Sequence, residues 1–313
     1  MQQSNHFADF SETYLVAEIG VNHNGDLALA RELVLAAKEA GADAVKFQTF
    51  LARSLVGPGT PKVLYQERTT ASSESHYEMI ERLELSRSSH HELYEFCNEI
   101  RIDFLSTPYD VSSAEFLAKL GVKYFKTASA DIVDIYLHEY LAKTSIPTMI
   151  ATGMATPSEI SQVLDVYRNR RHTDVILLHC VSNYPCSDLS LNLRAMVEVG
   201  SQNSLPFGFS DHSVGSIAAV AAVAMGAVVV ERHFTLDKNL PGPDHLASVE
   251  PSEFRQLVEN IRRVEMILGS REKRCAEEER QMASVSRKSL VAARPLPKGT
   301  LLTPDDLTTR RPG

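Results

Sequence analysis

Short apolar runs alternate with longer amphipathic segments along most of the chain. The runs have the length and composition of buried strands, as in "YLVAEIG" (Tyr14–Gly20) and "AVVVERHFT" (227–235). The segments between them carry apolar residues at helical spacing, as in "LALARELVLAAKEAGA" (27–42). Strand and helix alternate eight times over roughly 250 residues. This alternation predicts parallel strands joined by crossover helices, and it favours a closed (β/α)8 TIM barrel over a doubly wound sheet.

The pattern changes after Gly269. The stretch "SREKRCAEEERQMASVSR" (270–287) is charged and contains serines, which predicts a linker or an exposed helix. The remaining residues, 288–313, predict short strands and turns and are too few to build a core of their own. We therefore expect a barrel domain over residues 1–269, a linker over 270–287 and a small C-terminal segment over 288–313.

One long segment, Leu51–Ser75, matches no element of the barrel. It contains glycines, prolines and the polar run "ERTTASSES", and a structureless insertion of this length is usually functional or disordered. It follows the second predicted strand, so it leaves the barrel at the end where such barrels carry their active sites. We expect a lid over an active site, and the alternative is a mobile surface loop.

Charge and composition exclude several classes of function. The formal net charge is −8, so no global positive field attracts nucleic acid or an anionic membrane surface, although a small anionic substrate needs only a few local cations. The longest apolar run, Ser216–Val230, is shorter than a bilayer span, and the N-terminus lacks a secretory signal. The cysteines show no zinc-type spacing: Cys97, Cys180, Cys186 and Cys275. We expect a cytoplasmic protein with free thiols and without nucleic-acid or membrane partners.

Polar residues end almost every predicted strand. In barrels of this type, the C-terminal ends of the strands point into the active site. The residues at these ends are Glu18, Lys46, Gln48, Thr107, Lys126, Ser129, Asp131, Thr152, Ser182, Ser210, His212 and His233. A single polar residue there would be unremarkable. A ring of them predicts an enzyme, because packing alone would place aliphatic side chains at some of these positions.

The chemistry of these residues divides them into groups. Lys46 and Lys126 are cations deep in the predicted pocket, which implies an anionic ligand to pair with them; alternatively, each lysine pairs only with a neighbouring acid. The serine and threonine hydroxyls suit phosphate or carboxylate oxygens. His212, His233 and Glu18 together have the composition of an open divalent-metal site. A lone histidine is more often a hydrogen-bonded core residue, but two histidines at the ends of adjacent strands favour a pair of ligands.

Several motifs resemble one known family in the same order along the chain. They include "AEIGVNHNGDLALARELVLAAKEAGADAVKFQTF" (17–50), "FLSTPYD", "FKTASADI", "LHCVSNYP", "GFSDHS" and "ERHFT". From about Tyr14 to the last residue the chain resembles the sialic acid synthase family, and "LPKGTLLTPDDLTTRRPG" resembles the start of that family's antifreeze-like (SAF) domain. The resemblance implies that phosphoenolpyruvate is joined to an N-acetylamino sugar aldehyde, with release of phosphate and a nine-carbon 2-keto acid.

The resemblance also implies a role for each site residue. It implies that Glu18, Lys46 and Lys126 are catalytic. Phosphoenolpyruvate would be held by Lys46, Thr107, Lys126, Ser129, Ser182 and Ser210. A divalent metal, foremost Mn²⁺ with Mg²⁺ or Co²⁺ as alternatives, would be held by His212 and His233. The sugar would be contacted by Gln48, Asp131, Tyr184, Asp244 and Arg311. Two positions depart from other members of the family, because Ala151 replaces a serine and Ser182 replaces an asparagine.

The resemblance implies a homodimer with exchanged C-terminal segments, in which Arg311 reaches the partner's sugar site. The SAF-like segment at 288–313 is expected to be truncated. The sugar stays open between N-acetylmannosamine and a 6-deoxy diacetamido sugar. Three other functions also remain: a spore-coat polysaccharide synthase of the same family, a pyruvate aldolase with Lys126 as its Schiff-base lysine, and a non-catalytic sugar-binding relative.

Overall fold

The computed structural model describes residues 5–57, 59–70 and 73–311. It contains two compact units, Met1–Leu268 and Gly269–Gly313. Residues 1–4, 58, 71, 72, 312 and 313, which belong to the predicted barrel domain, lid and C-terminal segment, lie outside the described residues.

Eight parallel strands form a closed barrel in the first unit, with each strand hydrogen-bonded to the next and β8 to β1. The predicted (β/α)8 barrel is therefore confirmed. The strands are β1 Tyr14–Gly20, β2 Ala44–Thr49, β3 Asp103–Pro108, β4 Phe125–Thr127, β5 Thr148–Ala151, β6 Val175–His179, β7 Phe207–Asp211 and β8 Val229–His233.

Helices cover the outside of the barrel, and short helices also occur in the loops at the C-terminal ends of the strands. They are α1 Leu27–Glu39, α2 Ala52–Leu55, α3 Leu64–Thr69, α4 His76–Arg82, α5 Arg87–Ile100, α6 Val111–Leu120, α7 Ile135–Thr144, α8 Pro157–Asn169, α9 Asp188–Leu191, α10 Leu193–Asn203, α11 Ile217–Ala224 and α12 Pro251–Leu268. Helix α8 illustrates how the sequence sets a start: the Thr156 hydroxyl accepts from the Glu159 amide, the Glu159 carboxylate accepts in return, and Pro157 occupies the first turn. In the described part of the chain, no helix combines the length and apolar character needed to cross a membrane.

The interior of the barrel has an apolar bottom and a polar top. Successive side chains of a strand point to opposite faces, so residues two apart share the inward face. Val16 of β1 and Val229 of β8 belong to the buried apolar cluster inside the barrel. Glu18 and Glu231 follow two residues later on the same strands and are also buried. Along each of these strands, the inward-facing side chains therefore change from apolar core residues to charged residues at the C-terminal end.

The segment predicted to be structureless, Leu51–Ser75, is not so. Its described residues contain helices α2 and α3, and α4 begins directly after it. Val21 and Phe50 form a buried apolar cluster with Met79 and Leu83, and Leu55 packs against it. The expectation of a segment without regular structure failed because α4 and the ends of β1 and β2 supply an apolar face. This polar, proline-containing segment packs against that face.

The second unit is described by itself. It contains helix α13 Arg280–Ser286 and the antiparallel strands β9 Ser289–Ala292 and β10 Leu307–Arg310. The carboxylate of Asp306, just before β10, accepts a hydrogen bond from the Arg294 guanidinium and from the Thr303 amide. These contacts hold the turn between the two strands.

Candidate active site

A cavity of about 440 Å³ opens at the C-terminal end of the barrel. It is lined by most of the residues that the sequence analysis selected: Glu18, Lys46, Gln48, Thr107, Lys126, Ser129, Ser182, Tyr184, Ser210, His212, His233 and Asp244. The fold thus brings side chains from β1, β2, β3, β4, β7 and β8, and from the loops after β4, β6, β7 and β8, into one place.

Three selected residues are not among the described residues that line this cavity. Asp131 lies in the short 3₁₀ helix Ser129–Val133, where burial, with Asp134, raises the pKa of its carboxyl to about 7. The Thr152 hydroxyl instead donates to the Leu178 carbonyl at 3.1 Å. Arg311 belongs to the second unit and is exposed. Asp131 and Thr152 both lie in the segments that follow their strands, β4 and β5, and the contact of Asp131 with the sugar stays a prediction.

Four buried charges form the bottom of the cavity, and we call Glu18, Lys46, Lys126 and Glu231 the charge cluster. Lys46 Nζ lies 2.6 Å from Glu18 Oε2 and 3.9 Å from Glu231 Oε2, and Lys126 Nζ lies 2.9 Å from Glu231 Oε1. Both lysines therefore already have carboxylate partners. The structure shows the alternative contact, a neighbouring acid, for each lysine, and an anionic ligand for the two lysines stays a prediction.

Glu231 is the member of the cluster that sequence reasoning missed. It accepts hydrogen bonds from Lys126 and from the Ser210 hydroxyl, the latter at 3.0 Å, and it is 3% exposed. On β2 both Lys46 and Gln48 were selected from the sequence, whereas on β8 only the last polar residue, His233, was selected. The alternation of inward-facing residues would have found Glu231, because it lies two positions before His233 on the same face.

The two carboxyls of the cluster have opposite proton affinities. Burial raises the pKa of Glu18 to about 7, with Glu231 adding to the effect and the nearby lysines opposing it. Burial also acts to raise the pKa of Glu231, but Lys126 and Lys46 outweigh it and hold the pKa well below the ordinary value. With Glu18 protonated, the cluster holds two cations and one anion. Near neutral pH it can therefore gain a net positive charge by binding one proton.

Hydroxyls surround the charge cluster. The Thr107 hydroxyl accepts from Lys46 Nζ at 3.0 Å, and the Ser129 hydroxyl accepts from the Gly153 amide at 3.1 Å. A Cβ atom on Gly153 would lie 2.5 Å from the Ser182 hydroxyl oxygen and 2.7 Å from that of Ser129. Only glycine fits at this position, and its backbone leaves the two hydroxyls converging on the cavity.

His212 and His233 lie side by side above the cluster, with ring centroids 5.6 Å apart. The Nδ1 atom of His212 lies 2.8 Å from the Val181 carbonyl oxygen, which leaves Nε2 for another partner. Burial lowers the pKa of His212 to about 4 and, together with His212, lowers the pKa of His233 well below the ordinary value. Both rings are therefore neutral near pH 7, which is the form that binds metals.

The three-residue metal group expected from the sequence is not formed. Among the described residues, no group of three or more histidine, cysteine, aspartate or glutamate side chains is placed to hold a metal ion. Glu18 contacts Lys46 and Gln48 instead, the latter at 3.2 Å. The histidine pair alone still fits a metal: both rings are neutral, and the buried Nδ1 of His233 has no hydrogen-bond partner among the described residues.

Apolar side chains also line the cavity, and we call them the apolar wall. Its members are Val21, Phe50, Leu55, Val56, Val63, Met79, Ile80 and Leu83. Most come from the segment 51–83, and the Thr69 hydroxyl ties this segment to the loop after β8 by donating to the Pro243 carbonyl at 3.3 Å. That loop also carries Asp244, whose pKa burial raises to about 6. The cavity thus joins a charged bottom to an apolar side.

Comparison with known proteins identifies the family. The sequence model of the NeuB family matches residues 33–273, and that of the SAF domain matches residues 287–313. The chain belongs to the NeuB family. The resemblance to sialic acid synthases inferred from the sequence is confirmed.

Individual members of the NeuB family align with nearly the whole chain. The N,N'-diacetyllegionaminic acid synthase of Legionella pneumophila is 45% identical over 96% of this chain and 85% of its own. The N-acetylneuraminate-9-phosphate synthase of Homo sapiens is 37% identical over 95% of this chain and 82% of its own. The crystal structure of the N-acetylneuraminic acid (sialic acid) synthetase of Leptospira borgpetersenii is 32% identical, with a TM-score of 0.79, and covers 88% of this chain and 91% of its own.

Proposed function

We propose that this NeuB-family enzyme condenses phosphoenolpyruvate with an N-acetylamino sugar aldehyde and water, giving a nine-carbon 2-keto acid and phosphate. The observation that carries the proposal is a single cavity in which the charge cluster, the converging hydroxyls, two neutral histidines and the apolar wall meet. The names of the aligned relatives, all synthases of sialic-acid-type sugars, point to the same reaction class.

The bottom of the cavity would hold phosphoenolpyruvate. Lys46 and Lys126 would contact its anionic groups, with hydrogen bonds from Thr107, Ser129, Ser182 and Ser210. A protonated Glu18 would leave Lys46 free to exchange its partner for the ligand, because the ion pair would then lose its anion. Much of the rate would come from positioning, since the lysines and hydroxyls would fix the enol carbon beside the sugar aldehyde.

The histidine pair would hold the divalent metal, for which we propose Mn²⁺, with Mg²⁺ or Co²⁺ as alternatives. When bound, such a metal acts as a Lewis acid on a carbonyl oxygen. The chain's own contribution is to keep both imidazoles neutral by burial and to orient His212 through the Val181 carbonyl. Two protein ligands would leave coordination positions for water or substrate.

The bond changes of the reaction balance without a further reactant. The C3 carbon of phosphoenolpyruvate forms a bond to the aldehyde carbon, water adds to C2, and the C–O bond to phosphate breaks as the keto group forms. Glu18, protonated when phosphoenolpyruvate binds, would give its proton to the aldehyde oxygen as the C–C bond forms. The resulting carboxylate would then stabilise the cationic C2 carbon and take the proton of the attacking water. A pKa of about 7 suits a group that must hold and release a proton near neutral pH.

For the sugar, we propose a 6-deoxy diacetamido aldehyde rather than a sugar phosphate, with Gln48, Tyr184 and Asp244 contacting its polar groups. Methyl groups of such a sugar would pack on the apolar wall. Among the described residues that line the cavity, Lys46 and Lys126 are the cations, and both belong to the charge cluster. Neither would be available to a phosphate on the sugar while it holds phosphoenolpyruvate. The greater identity to the Legionella synthase than to the human one agrees with this choice.

The homodimer remains part of the proposal. Large apolar side chains are exposed in the segments that follow β4 to β8, which lie at the same end of the barrel as the cavity: Val133, Tyr136, Met154, Leu189, Val214, Ile217 and Leu246. Exposed apolar side chains that form a patch are typical of an interface. We propose that a second copy of the chain covers it and that the partner's Arg311 contacts the sugar.

The aldolase alternative is disfavoured by Lys126 itself. A Schiff-base lysine needs a lowered pKa, so that a neutral amine is available. Burial acts in that direction, but Glu231, with smaller effects of Cys180 and Glu18, raises the pKa of Lys126 above the ordinary value. A non-catalytic relative is disfavoured because the charge cluster and the histidine pair are both in place.

The proposed reaction is tested by measuring phosphate release from phosphoenolpyruvate against a panel of sugars. The panel contains N-acetylmannosamine, its 6-phosphate and the 6-deoxy diacetamido sugar, and we expect the last to give the highest kcat/KM. Borohydride treatment with pyruvate serves as the control for an aldolase. Covalent trapping of pyruvate on Lys126, or phosphate release with none of the sugars, would overturn the proposal.

A further inference from the structure

A buried ion pair lies behind the two histidines, on the outer face of the barrel. Asp211 and Arg232 are opposite each other in the register of β7 and β8, and each directly precedes one of the histidines. The inward-facing neighbours line the cavity, so alternation places this pair on the other face of the strands. Asp211 is 1% exposed and Arg232 is 3% exposed.

The contacts of this ion pair involve the residues directly before and after His212. The Arg232 guanidinium donates through Nη1 to the Asp211 carboxylate and through Nη2 to the Ser213 carbonyl oxygen. The other Asp211 carboxylate oxygen accepts from the Ser213 amide at 2.8 Å. Arg232 of β8 therefore contacts the residues on both sides of His212, the side chain of Asp211 and the backbone of Ser213, at the point where β7 ends.

Ion pairing alone does not explain well why Asp211 and Arg232 occupy these two buried positions. Removing two charges from water costs several kcal/mol per ion, and well-packed apolar residues of similar volume are often equally stabilising. A guanidinium supplies something that an apolar side chain cannot, because its planar fork reaches two different acceptors in fixed directions. The contacts that it makes here fix geometry between the ends of two strands, which is where the histidines begin.

We propose that Arg232, together with Asp211, is a positioning residue that sets the relative placement of His212 and His233 for metal binding. The inference rests on the proposed function, in which these histidines hold a divalent metal. Neither residue would touch the metal or either substrate. His212 would be fixed by this pair behind it, by its ring contact to Val181, and by its own carbonyl, which accepts from the Cys186 amide at 2.9 Å.

The test is a comparison of Mn²⁺ affinity and phosphoenolpyruvate affinity in folded variants, without turnover. Arg232→Lys keeps the charge but cannot reach both acceptors, and Asp211→Asn keeps the shape but removes the anion. We expect either variant to weaken Mn²⁺ binding by about 10- to 100-fold, the usual effect of losing an outer-shell partner. Phosphoenolpyruvate affinity, measured by calorimetry in the presence of chelator, should change less than about twofold, because the charge cluster is untouched.

A third variant separates positioning from stability. Asp211→Leu combined with Arg232→Met replaces the pair by apolar side chains, which should keep Tm near that of the wild type. We expect it to bind Mn²⁺ as weakly as Arg232→Lys. The surface pair of Lys123 and Asp103, 2.6 Å apart, gives the matched control, and Lys123→Met should leave Mn²⁺ affinity unchanged.

The outcomes distinguish this inference from the proposed function. Wild-type Mn²⁺ affinity in either folded single variant, or in the apolar double variant, would overturn the positioning role while leaving the metal site intact. A parallel loss of Mn²⁺ and phosphoenolpyruvate affinity would also overturn it, because it would show a general distortion of the site. A wild-type protein that binds neither Mn²⁺, Mg²⁺ nor Co²⁺ would overturn the metal part of the proposed function and this inference with it.

Discussion

Glu231 Oε1 lies 2.9 Å from Lys126 Nζ, and both side chains are buried at the bottom of the barrel cavity. The same carboxylate accepts from Ser210 and lies 3.9 Å from Lys46 Nζ. One side chain of β8 therefore holds together residues of β2, β4 and β7. Removing the Glu231 carboxylate should therefore lower both the stability and the activity of the protein.

Glu231→Gln should lower the free energy of unfolding by about 3 kcal/mol, because it leaves Lys126 buried without its closest carboxylate. The exposed pair of Glu115 and Lys119, 2.8 Å apart, provides the control, and Glu115→Gln should cost no more than about 0.5 kcal/mol. Urea unfolding of both variants measures the difference. Equal costs at the two sites would show that the buried pair has no special role in stability.

Phosphoenolpyruvate affinity should fall as pH rises above about 7. Burial raises the pKa of Glu18 to about 7, so below that pH the protonated carboxyl leaves the charge cluster with a net positive charge that favours an anion. Above it, the Glu18 carboxylate competes for Lys46, and the loss can reach about tenfold per pH unit. Calorimetric titrations between pH 6 and 9 measure this dependence.

Glu18→Gln is the control for that dependence. It keeps the shape of the side chain and removes its titration, so any remaining change with pH belongs to the ligand. We expect a flatter pH profile than in the wild type. Identical profiles for the two proteins would assign the titration to some other group.

Metal removal should abolish activity, and added Mn²⁺ should restore it. His212→Ala and His233→Ala should each lose Mn²⁺ binding. His172→Ala provides the comparison, because this buried histidine contacts the Ala142 carbonyl on the opposite side of the barrel wall and does not line the cavity in the part of the chain that the structure describes. Full turnover after exhaustive chelation would refute the metal assignment.

Substitution in the apolar wall should change sugar preference. Val63 lines the cavity and is 51% exposed, so Val63→Asn should fold normally while removing an apolar contact. We expect the kcat/KM for the 6-deoxy diacetamido sugar to fall at least about fivefold relative to that for N-acetylmannosamine, since a single methyl contact is worth roughly 1 kcal/mol or more. Val111→Asn, at an exposed valine of α6, should leave the ratio unchanged. An unchanged ratio in Val63→Asn would place the sugar elsewhere.

The barrel could be predicted from sequence because its signal is repeated eight times, and an error in one strand does not change the architecture. Most of the cavity followed from the rule that strand ends converge. The rule is less informative beyond the strand ends, as at Asp131, which lies in a 3₁₀ helix after β4 and is not among the described residues that line the cavity. The pairing of Lys46 with Glu18 could not be predicted either. The register between β1 and β2 brings these residues together, and no local sequence pattern encodes that register. Packing against α4 likewise ordered a segment whose own composition predicted a loop.

The last prediction concerns the dimer and Arg311. Arg311 is exposed in the second unit, and the proposed homodimer would bring it to the partner's sugar site. If the partner's Arg311 contacts the sugar, Arg311→Ala should raise the KM for the sugar more than the KM for phosphoenolpyruvate. A guanidinium would add directional hydrogen bonds to the sugar and little to the chemistry at the charge cluster.

Mixing two variants, at a sugar concentration too low for appreciable turnover by either one alone, tests whether that contact is made between subunits. One chain carries Arg311→Ala with Glu18 intact, and the other carries Glu18→Gln with Arg311 intact. If the contact is made in trans, the heterodimer contains one site with Glu18 and the partner's Arg311 both present, so the mixture should regain part of the activity. Native mass spectrometry confirms subunit exchange in the same sample. A mixture that exchanges subunits yet stays inactive would show that the contact is made within one chain or not at all, because every heterodimer would then carry one defect at each site.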